Sequence, residues 1–177
     1  LNSIMLSKLH APLKTMYSED RMEEEEQYSR TSFSHVDFFN KLTVNPASIP
    51  PHALEIKVGA MAMLMRNLSK KDKLMNGTRI VIQDIHKYSI IVRTCCDGKL
   101  HALSRILFRI QCKRSNTSVL RRQFPIRLAY AMTVHKCQGQ TLDRVVLDMR
   151  QQPFSHGILY VACGRVRNAE SLIALVD

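Results

Sequence analysis

The sequence predicts an α/β fold that contains a small β barrel, and two observations support this. Between residues 53 and 110, short apolar segments are separated by tight turns, which is typical of a barrel or a curled sheet. In the last third of the chain, apolar strands alternate with helical segments, which is typical of a parallel sheet covered by helices. We therefore expect a helical part with an acidic loop over residues 1–50, a barrel over 51–115 and an α/β part over 116–177.

The first region is predicted to be helical at its two ends and polar between them. A short helix fits residues 2–13, and a second fits residues 32–42, where Ser34 is a suitable N-cap. Between these helices, the segment 17–30 contains four consecutive glutamates and indicates a solvated loop. Three prolines within residues 46–51 then interrupt the chain and mark the start of the next region.

Alternating strands and tight turns predict the barrel. Leu54, Ile56 and Val58 alternate with other residues, so they would share one face of its first strand. A more continuous apolar run follows. The Asn-Gly pair at residues 76–77 and the Asp-Gly pair at residues 97–98 are typical of turns between strands. The sequence between and beyond these two turns provides three or four further short strands.

A basic loop over residues 111–123 is predicted to lead into the last region. In chain order we then expect a strand over 124–132, a turn leading into a helix over 133–142, a strand over 144–149, a helix over 155–166 and a strand over 171–177. This order of strands and helices is that of a parallel α/β sheet.

Charge is distributed unevenly along the chain, whose net charge is +11. Residues 1–50 contain five basic and seven acidic side chains, whereas residues 51–177 contain 21 basic and eight acidic ones. A positive surface of this kind attracts polyanions, of which nucleic acid is the commonest. The alternative is a basic surface that serves only solubility.

Five cysteines and the hydropathy of the chain exclude several classes of protein. Their number is odd and no C-x-x-C pair occurs, so neither a disulfide framework nor a zinc site is predicted, and we expect reduced thiols. No apolar run reaches the roughly 18–20 residues needed to cross a bilayer. The sequence begins with Leu rather than Met and has no secretory signal, so we expect a fragment of an intracellular protein.

A dense polar motif, TVHKCQGQTL at residues 133–142, lies at a predicted junction between a strand and a helix. Such junctions bind phosphate because backbone N–H groups point outward there. Gly139 allows close approach to the backbone. The polar side chains able to donate hydrogen bonds are Thr133, His135, Lys136 and Gln138. From this motif alone, a plain polar turn remains an alternative.

Two other readings of the same motif are disfavoured. His135 and Cys137 are two residues apart and would face different sides of a helix, which argues against a Cys–His catalytic pair. No spacing of ligand side chains indicates a metal site. Further along, Arg165 and Arg167 lie near the C-terminal end of the last predicted helix and could direct a guanidinium at a neighbouring site. The alternative is that they are surface arginines that balance the helix dipole.

Together, the stretches FPIRLAYAMTVHKCQGQTLDRVVLDM and FSHGILYVACGRVRN closely resemble the last two motifs of the Pif-one/RecD-type superfamily-one DNA helicases. The segment IPPHALEIKVGAMAMLMRNLSKKDKLMNGTRIVI resembles the strands and the NGTR turn that open this family's inserted barrel, and QFPIRLAYAMT resembles the helicases of Helitron transposons. The resemblance covers almost the whole chain and is weakest over residues 18–35. It implies a RecA-like second motor lobe of the P-loop NTPase type, with an inserted small Src-homology-three-like β barrel.

The resemblance also implies roles for individual residues. Thr133 and His135 would contact the phosphate backbone of single-stranded DNA, with Lys136 close by. Gln138 and Gly139 would lie beside the ATP phosphates, and Arg165 would be the catalytic arginine that reaches the γ-phosphate. Where the family has a small hydroxyl residue before this arginine, the chain has Cys163-Gly164.

The implied function is that of a C-terminal segment of an ATP-dependent 5′–3′ DNA helicase, with ATP and Mg²⁺ bound mainly by a first motor lobe. The sequence contains neither a P-loop motif nor an Asp-Glu pair, so we expect no ATP hydrolysis by these residues alone. The implied partners are single-stranded DNA and the missing lobe, with no membrane, in the nucleus or in mitochondria. The alternative is a non-catalytic nucleic-acid-binding module or a degenerate transposon-derived fragment.

Overall fold

The computed structural model describes residues 1–23, 49–111, 118–150 and 157–176. The chain divides into two units, Leu1–Tyr130 and Ala131–Asp177. The finer division into three regions, with boundaries after residues 50 and 115, stays a prediction. The predicted helix over residues 32–42 and its N-cap Ser34 lie outside the described residues.

Antiparallel sheets make up most of the first unit. In chain order, its described elements are α1 (Asn2–Ser7), β1 (Lys14–Tyr17), β2 (Glu19–Glu23), β3 (Ala53–Ile56), β4 (Met61–Leu64), β5 (Arg79–Ile85), β6 (Ser89–Thr94), β7 (Leu100–Ser104), β8 (Ile106–Gln111), β9 (Ser118–Gln123) and β10 (Ile126–Leu128). The strands form a pair β1-β3, a five-stranded sheet β10-β4-β5-β6-β7 and a three-stranded sheet β2-β9-β8.

Four strands of the five-stranded sheet, β4 to β7, lie where the sequence predicted the barrel. Alternate residues of β5 and β6 are buried, as a period of two requires for strands with one face on a core. Glycines with positive φ stand at both predicted turns, Gly77 at 87° and Gly98 at 69°. The apolar core behind this sheet includes Leu54, Ile56, Leu64, Ile80, Ile82, Ile90, Val92, Phe124 and Ile126.

The three-stranded sheet corrects two predictions. Residues 19–23, predicted as part of a solvated loop, form β2, and residues 118–123, predicted as a basic loop, form β9. The cause is long-range pairing, since β9 is hydrogen-bonded to both β2 and β8. Its inner face packs Phe108, Ile110 and Val119 into a second, smaller core.

A buried ion pair joins β2 to β9 on that inner face. The guanidinium of Arg121 donates to both carboxylate oxygens of Asp20, with an Nη2–Oδ2 distance of 2.8 Å, and the two side chains are 3% and 6% exposed. The hydroxyl of Ser18 also donates to Asp20, and it lies 2.7 Å from Nδ1 of His52. Burial alone would raise the pKa of Asp20, but the hydrogen bonds from Arg121 and Ser18 and the charge of Arg121 hold it below its usual value.

Val58 differs from the prediction that it shares the buried face of Leu54 and Ile56. Strand β3 ends at Ile56, and Val58 is 38% exposed. The following residue, Gly59, has a φ of 82°, so the chain turns there instead of continuing the alternation.

The second unit contains short elements around one parallel strand pair. Its described elements are α2 (Val134–Cys137), β11 (Val145–Asp148), α3 (Ile158–Cys163), a 3₁₀ turn (Ala169–Ser171) and β12 (Leu172–Leu175). Strands β11 and β12 pair in parallel, with Val145 opposite Leu172 and Asp148 opposite Leu175. These two strands and the α3 helix confirm the predicted order.

Three local predictions for this part of the chain are wrong. The apolar strand at residues 126–128 pairs antiparallel with β4 in the first unit, so it is not a strand of the parallel sheet. The polar motif contains a helix that precedes Gly139, whereas a turn leading into a helix was predicted. Helix α3 ends at Cys163, so Arg165 lies beyond it.

Among the described residues, no helix is long and apolar enough to cross a membrane.

Candidate functional site

The polar motif places its first side chains on the surface of α2. Thr133 is the N-cap of this helix, in extended conformation, and its hydroxyl makes no capping hydrogen bond. Thr133 and His135 are exposed and Lys136 is half-buried. The Thr133 hydroxyl and the His135 imidazole are therefore accessible to a ligand.

Cys137 lies on the buried side of the same helix. Its thiol is 2.9 Å from the carbonyl oxygen of Val134. Burial raises the pKa of Cys137, although the positive charge of Arg165 opposes this rise. A thiol in this environment stays protonated near neutral pH, and the exposed His135 is placed on another side of the helix. The geometry agrees with the argument from spacing against a Cys–His catalytic pair.

After α2, Gln138 and Gly139 form an exposed turn. Gly139 has a φ of 78°, and a Cβ atom built there would meet nothing within 4 Å. Glycine is therefore required by the backbone conformation, while the space beside it is open to a ligand. Two hydrogen bonds from Gln140 close the turn: its N–H donates to the Cys137 carbonyl at 3.0 Å, and its side-chain amide donates to the Lys136 carbonyl at 3.0 Å.

Arg165 lies next to this turn although it is 25 residues from Gln140. The N–H of Leu142 donates to the carbonyl of Arg165 at 2.8 Å, and Leu142 and Val166 form a parallel bridge. The half-buried guanidinium donates through Nε to the Val161 carbonyl at 2.9 Å and through Nη1 to the Gln140 carbonyl at 3.5 Å. The structure thus brings together three residues that the sequence analysis placed near ATP: Gln138, Gly139 and Arg165.

Sequence reasoning did not assign a role to Gln140. Its carbonyl accepts the hydrogen bond from Arg165 and its side chain closes the turn, so it connects the two motif segments. The sequence shows Gln140 as the second glutamine of the QGQ triplet. Its contact with Arg165 could not be predicted, because every residue type has a backbone carbonyl that can accept a hydrogen bond. The assigned contacts of Thr133, His135 and Lys136 with DNA, and those of Gln138, Gly139 and Arg165 with ATP, stay predictions.

The available donors fit phosphate groups. A glutamine amide, an arginine guanidinium and a glycine turn without a blocking side chain are the usual partners of phosphate oxygens. Among the residues that the structure describes, no cluster of three or more His, Cys, Asp or Glu side chains is arranged to hold a metal ion.

Comparisons with known proteins support a helicase relationship. Residues 37–85 match the family model of the DNA helicase Pif1, 2B domain. The ATP-dependent DNA helicase Pif1 of Bdellovibrio bacteriovorus is 37% identical over 130 residues, which are 73% of this chain and 29% of that protein. The crystal structure of Pif1 helicase from Candida albicans superposes with a TM-score of 0.74 and 26% identity, over 98% of this chain and 42% of that one.

A structure with lower sequence identity contains a bound nucleotide analogue and single-stranded DNA. The Pif1 helicase from Bacteroides in complex with ADP-AlF3 and ssDNA matches 98% of this chain and 36% of its own, with a TM-score of 0.62 and 22% identity, which shows the shared fold alone. In each case the chain spans less than half of the protein that it matches. The chain is therefore related to the Pif1 DNA helicases and corresponds to a part of their length.

Proposed function

We propose that the chain is part of an ATP-dependent DNA helicase, in which it holds single-stranded DNA and completes an ATP site with Arg165. The observation that carries this proposal is the hydrogen bond between Leu142 and Arg165, which places the two motif segments side by side within one unit. The names of the relatives, and the DNA and nucleotide analogue in the Bacteroides structure, support the same assignment.

The proposed architecture is a RecA-like second motor lobe with an inserted Src-homology-three-like barrel. The parallel pair β11-β12 with helices α2 and α3 supports the motor lobe, because parallel strands joined by helices are its building unit. The antiparallel sheet β10-β4-β5-β6-β7 supports the barrel.

In the proposed helicase, α2 contacts the DNA backbone. The free hydroxyl of Thr133 and the exposed imidazole of His135 donate hydrogen bonds to phosphate oxygens, and the ammonium of Lys136 adds a positive charge. Contacts of this kind position the strand without reading its sequence, which suits a motor that moves along any DNA.

The turn and Arg165 face the nucleotide in the same proposal. ATP supplies the phosphoryl group that is transferred to water, and a first motor lobe would bind most of the ATP and its Mg²⁺. This chain contributes the Gln138 amide, the open backbone at Gly139 and the Arg165 guanidinium. The Nη1 bond of Arg165 to Gln140 is long at 3.5 Å, so a phosphate oxygen can replace the carbonyl at little cost.

A chimera tests the role of Arg165. The P-loop lobe of the Bdellovibrio bacteriovorus Pif1 would be joined to this chain, and DNA-stimulated ATP turnover would be measured. Because an arginine finger contributes about 10³–10⁵ in kcat, Arg165→Ala should lower kcat at least about 10³-fold. Arg167→Ala is the matched control, since it removes an exposed arginine two residues away and should leave kcat unchanged. Equal turnover in wild type and Arg165→Ala would refute the assignment.

A binding assay tests the DNA contacts of the unmodified chain. We expect Thr133→Ala combined with His135→Ala to weaken binding to a labelled single strand, with Thr141→Ala in the same unit as the exposed control.

Movement in the 5′–3′ direction would be tested with the chimera on duplexes that carry a 5′ or a 3′ tail. Unwinding of the 3′-tailed substrate alone would contradict the proposed polarity.

The second candidate is a nucleic-acid-binding module without motor activity, or a degenerate fragment. The pair Cys163-Gly164, where the helicase motif has a small hydroxyl residue, favours it. The chimera separates the two candidates, because salt-dependent DNA binding without ATP turnover is expected of the module alone.

A helicase function would place the protein in the nucleus or in mitochondria, which fractionation of cells would test.

A further inference from the structure

Two adjacent cysteines, Cys95 and Cys96, lie in the turn that joins strands β6 and β7. Both residues are exposed and both thiols are free. They are the only neighbouring cysteines in the sequence, and we call them the cysteine pair. The proposed DNA and ATP sites do not include them, because the residues of those sites belong to Ala131–Asp177. An inference about the cysteine pair is therefore independent of the proposed helicase function.

Hydrogen bonds hold the turn that carries the cysteine pair. The N–H of Cys95 donates to the carbonyl of Arg79 on β5 at 3.0 Å, and the N–H of Gly98 donates to the carbonyl of Thr94 at 3.0 Å. The hydroxyl of the buried Thr94 donates to the carboxylate of Asp97. The two thiols therefore stay next to each other on an anchored turn whose outer side is open to small molecules in solution.

We propose that the cysteine pair is a site of reversible oxidation, at which a peroxide converts the two thiols into a disulfide. In the first step, the Cys96 thiolate attacks one oxygen of hydrogen peroxide. An S–O bond forms, the O–O bond breaks, and the leaving hydroxide takes up the proton lost by the thiol. In the second step, Cys95 attacks the sulfur of this sulfenic acid, an S–S bond forms, and the hydroxyl leaves with the Cys95 proton as water. Two electrons from the two thiols reduce one peroxide.

The environment of Cys95 indicates this order of attack. Partial burial of the thiol raises the pKa of Cys95, although the charge of Arg79 opposes this rise. Because the thiolate is the nucleophile, Cys95 is a poor first attacker of free peroxide at neutral pH. Its attack on the neighbouring sulfenic acid is intramolecular, and proximity compensates for a small fraction of thiolate. Cys95 is therefore assigned the second step, and Cys96 the first.

Strain makes the resulting disulfide reducible. Residues joined by a disulfide usually have Cα atoms about 4.4–6.8 Å apart, whereas neighbouring residues are about 3.8 Å apart across a trans peptide bond. A disulfide outside the usual range is strained and is reduced more readily than a relaxed one. The cysteine pair thus suits a reversible modification rather than a permanent bridge, and a dithiol reductant restores the two thiols.

Peptide mapping of the complete 177-residue chain tests the proposal. Trypsin cleaves after Arg93 and Lys99, so both cysteines fall in one peptide, Thr94–Lys99, which contains no other cysteine. The chain would be treated with hydrogen peroxide, alkylated and then digested. We expect this peptide to carry no alkyl group and to be lighter by two hydrogens than the unmodified peptide. Dithiothreitol added before alkylation should restore an alkyl group on each cysteine.

Three serine variants separate the two steps. In Cys95→Ser the second step is lost, so dimedone should trap the sulfenic acid of Cys96, whereas wild type should give the disulfide instead. In Cys96→Ser the first attacker is lost, so the Cys95 thiol should remain available for alkylation under the same treatment. Cys163→Ser is the matched control, because it removes an exposed cysteine of the other unit and should leave the disulfide in Thr94–Lys99 unchanged.

Several outcomes would overturn the proposal. One is a Thr94–Lys99 peptide that stays fully alkylated at a peroxide concentration that oxidises Cys163. Others are sulfinic or sulfonic acids in place of the disulfide, or a disulfide from either cysteine of the pair to any other cysteine. Equal oxidation of Cys95→Ser and Cys96→Ser would contradict the assigned order of attack.

Discussion

The two units of the chain differ in how they bury apolar residues. In Leu1–Tyr130, the inward-facing residues of the five-stranded sheet form a core in which Ile80, Ile82 and Ile90 are fully buried. In the described part of the second unit, residues 131–150 and 157–176, only Cys137 and Ala162 are buried.

The comparison shows what each kind of sheet requires. An antiparallel sheet of neighbouring hairpins covers one face with its own core and can leave the other in water. A parallel pair needs cover on both faces, and here Val146 of β11 and Ile173 of β12, which are opposite each other, are 61% and 57% exposed. We therefore expect the first unit to be the more stable of the two.

Removing the buried ion pair of the first unit should have the largest effect. Arg121→Ala leaves the Asp20 carboxylate buried without its partner and should lower the free energy of unfolding by about 3–5 kcal/mol, measured by urea denaturation. Arg150→Ala is the counterpart in the second unit, where Asp148 holds its partner at 2.7 Å and both side chains are about half exposed. Its loss should be far smaller, and equal losses would contradict the comparison. Replacing both Asp20 and Arg121 by apolar residues should cost less than Arg121→Ala alone.

Truncation of apolar side chains tests the difference in burial directly. Ile82→Ala creates a cavity in the first unit and should cost about 2–5 kcal/mol. Ile173→Ala removes the same atoms from a 57% exposed position in the second unit and should change stability by about 0.5 kcal/mol or less. A larger loss for Ile173→Ala would show that the second unit has a packed core that includes this residue.

Two glycines test the backbone of the second unit. Gly139→Ala forces a side chain into a left-handed conformation and should destabilise the turn by about 1–2 kcal/mol, detected by amide hydrogen exchange around α2. Gly164 has a φ of −73°, and an added Cβ would lie 3.4 Å from the Tyr160 carbonyl oxygen, which is van der Waals contact. Gly164→Ala should therefore be neutral or stabilise by up to about 1 kcal/mol. The reverse order of the two effects would contradict the turn geometry.

The smallest expected effect is a dependence on acid. The pKa of Asp20 is lower in the folded chain than its unfolded value of about 3.9. Its contribution to stability is therefore complete above that unfolded value and is lost as the pH falls through the lower folded pKa. Urea denaturation at pH 7 and pH 3 should show this loss. The pKa values of Asp97 and Asp148 are also lowered, the latter to about 2, so the difference between wild type and Asp20→Asn isolates Asp20. Identical pH profiles of wild type and Asp20→Asn would show that Asp20 does not contribute to the pH dependence of stability.

Local patterns predicted the strands β3 to β7 well. The alternation of Leu54 with Ile56, and the Gly residues of the two turns, depend on neighbouring residues alone. The prediction failed at β9, where one inward position is occupied by Arg121. Its burial depends on Asp20, which is 101 residues away, and no local pattern contains that partner.

The candidate site shows the same division. The residue types of the motif and its glycine turn could be predicted, because they are properties of short segments. The predicted order of turn and helix along the chain was wrong, since a helix of four residues, Val134–Cys137, has too little periodicity to be located from sequence. The bonds from Leu142 to Arg165, and from Arg165 to Gln140, join segments that are distant in sequence.

By itself, the sequence determined the helicase resemblance, the turns and most strands of the first unit. Those features follow from residue type and from a period of two, both of which are local. Only the tertiary structure decided that Asp20 and Arg121 are buried together, that the strand at residues 126–128 joins the antiparallel sheet, and that Arg165 lies beside the motif turn. Each of these depends on which distant segments become neighbours, and that choice is made by the packing of the whole chain.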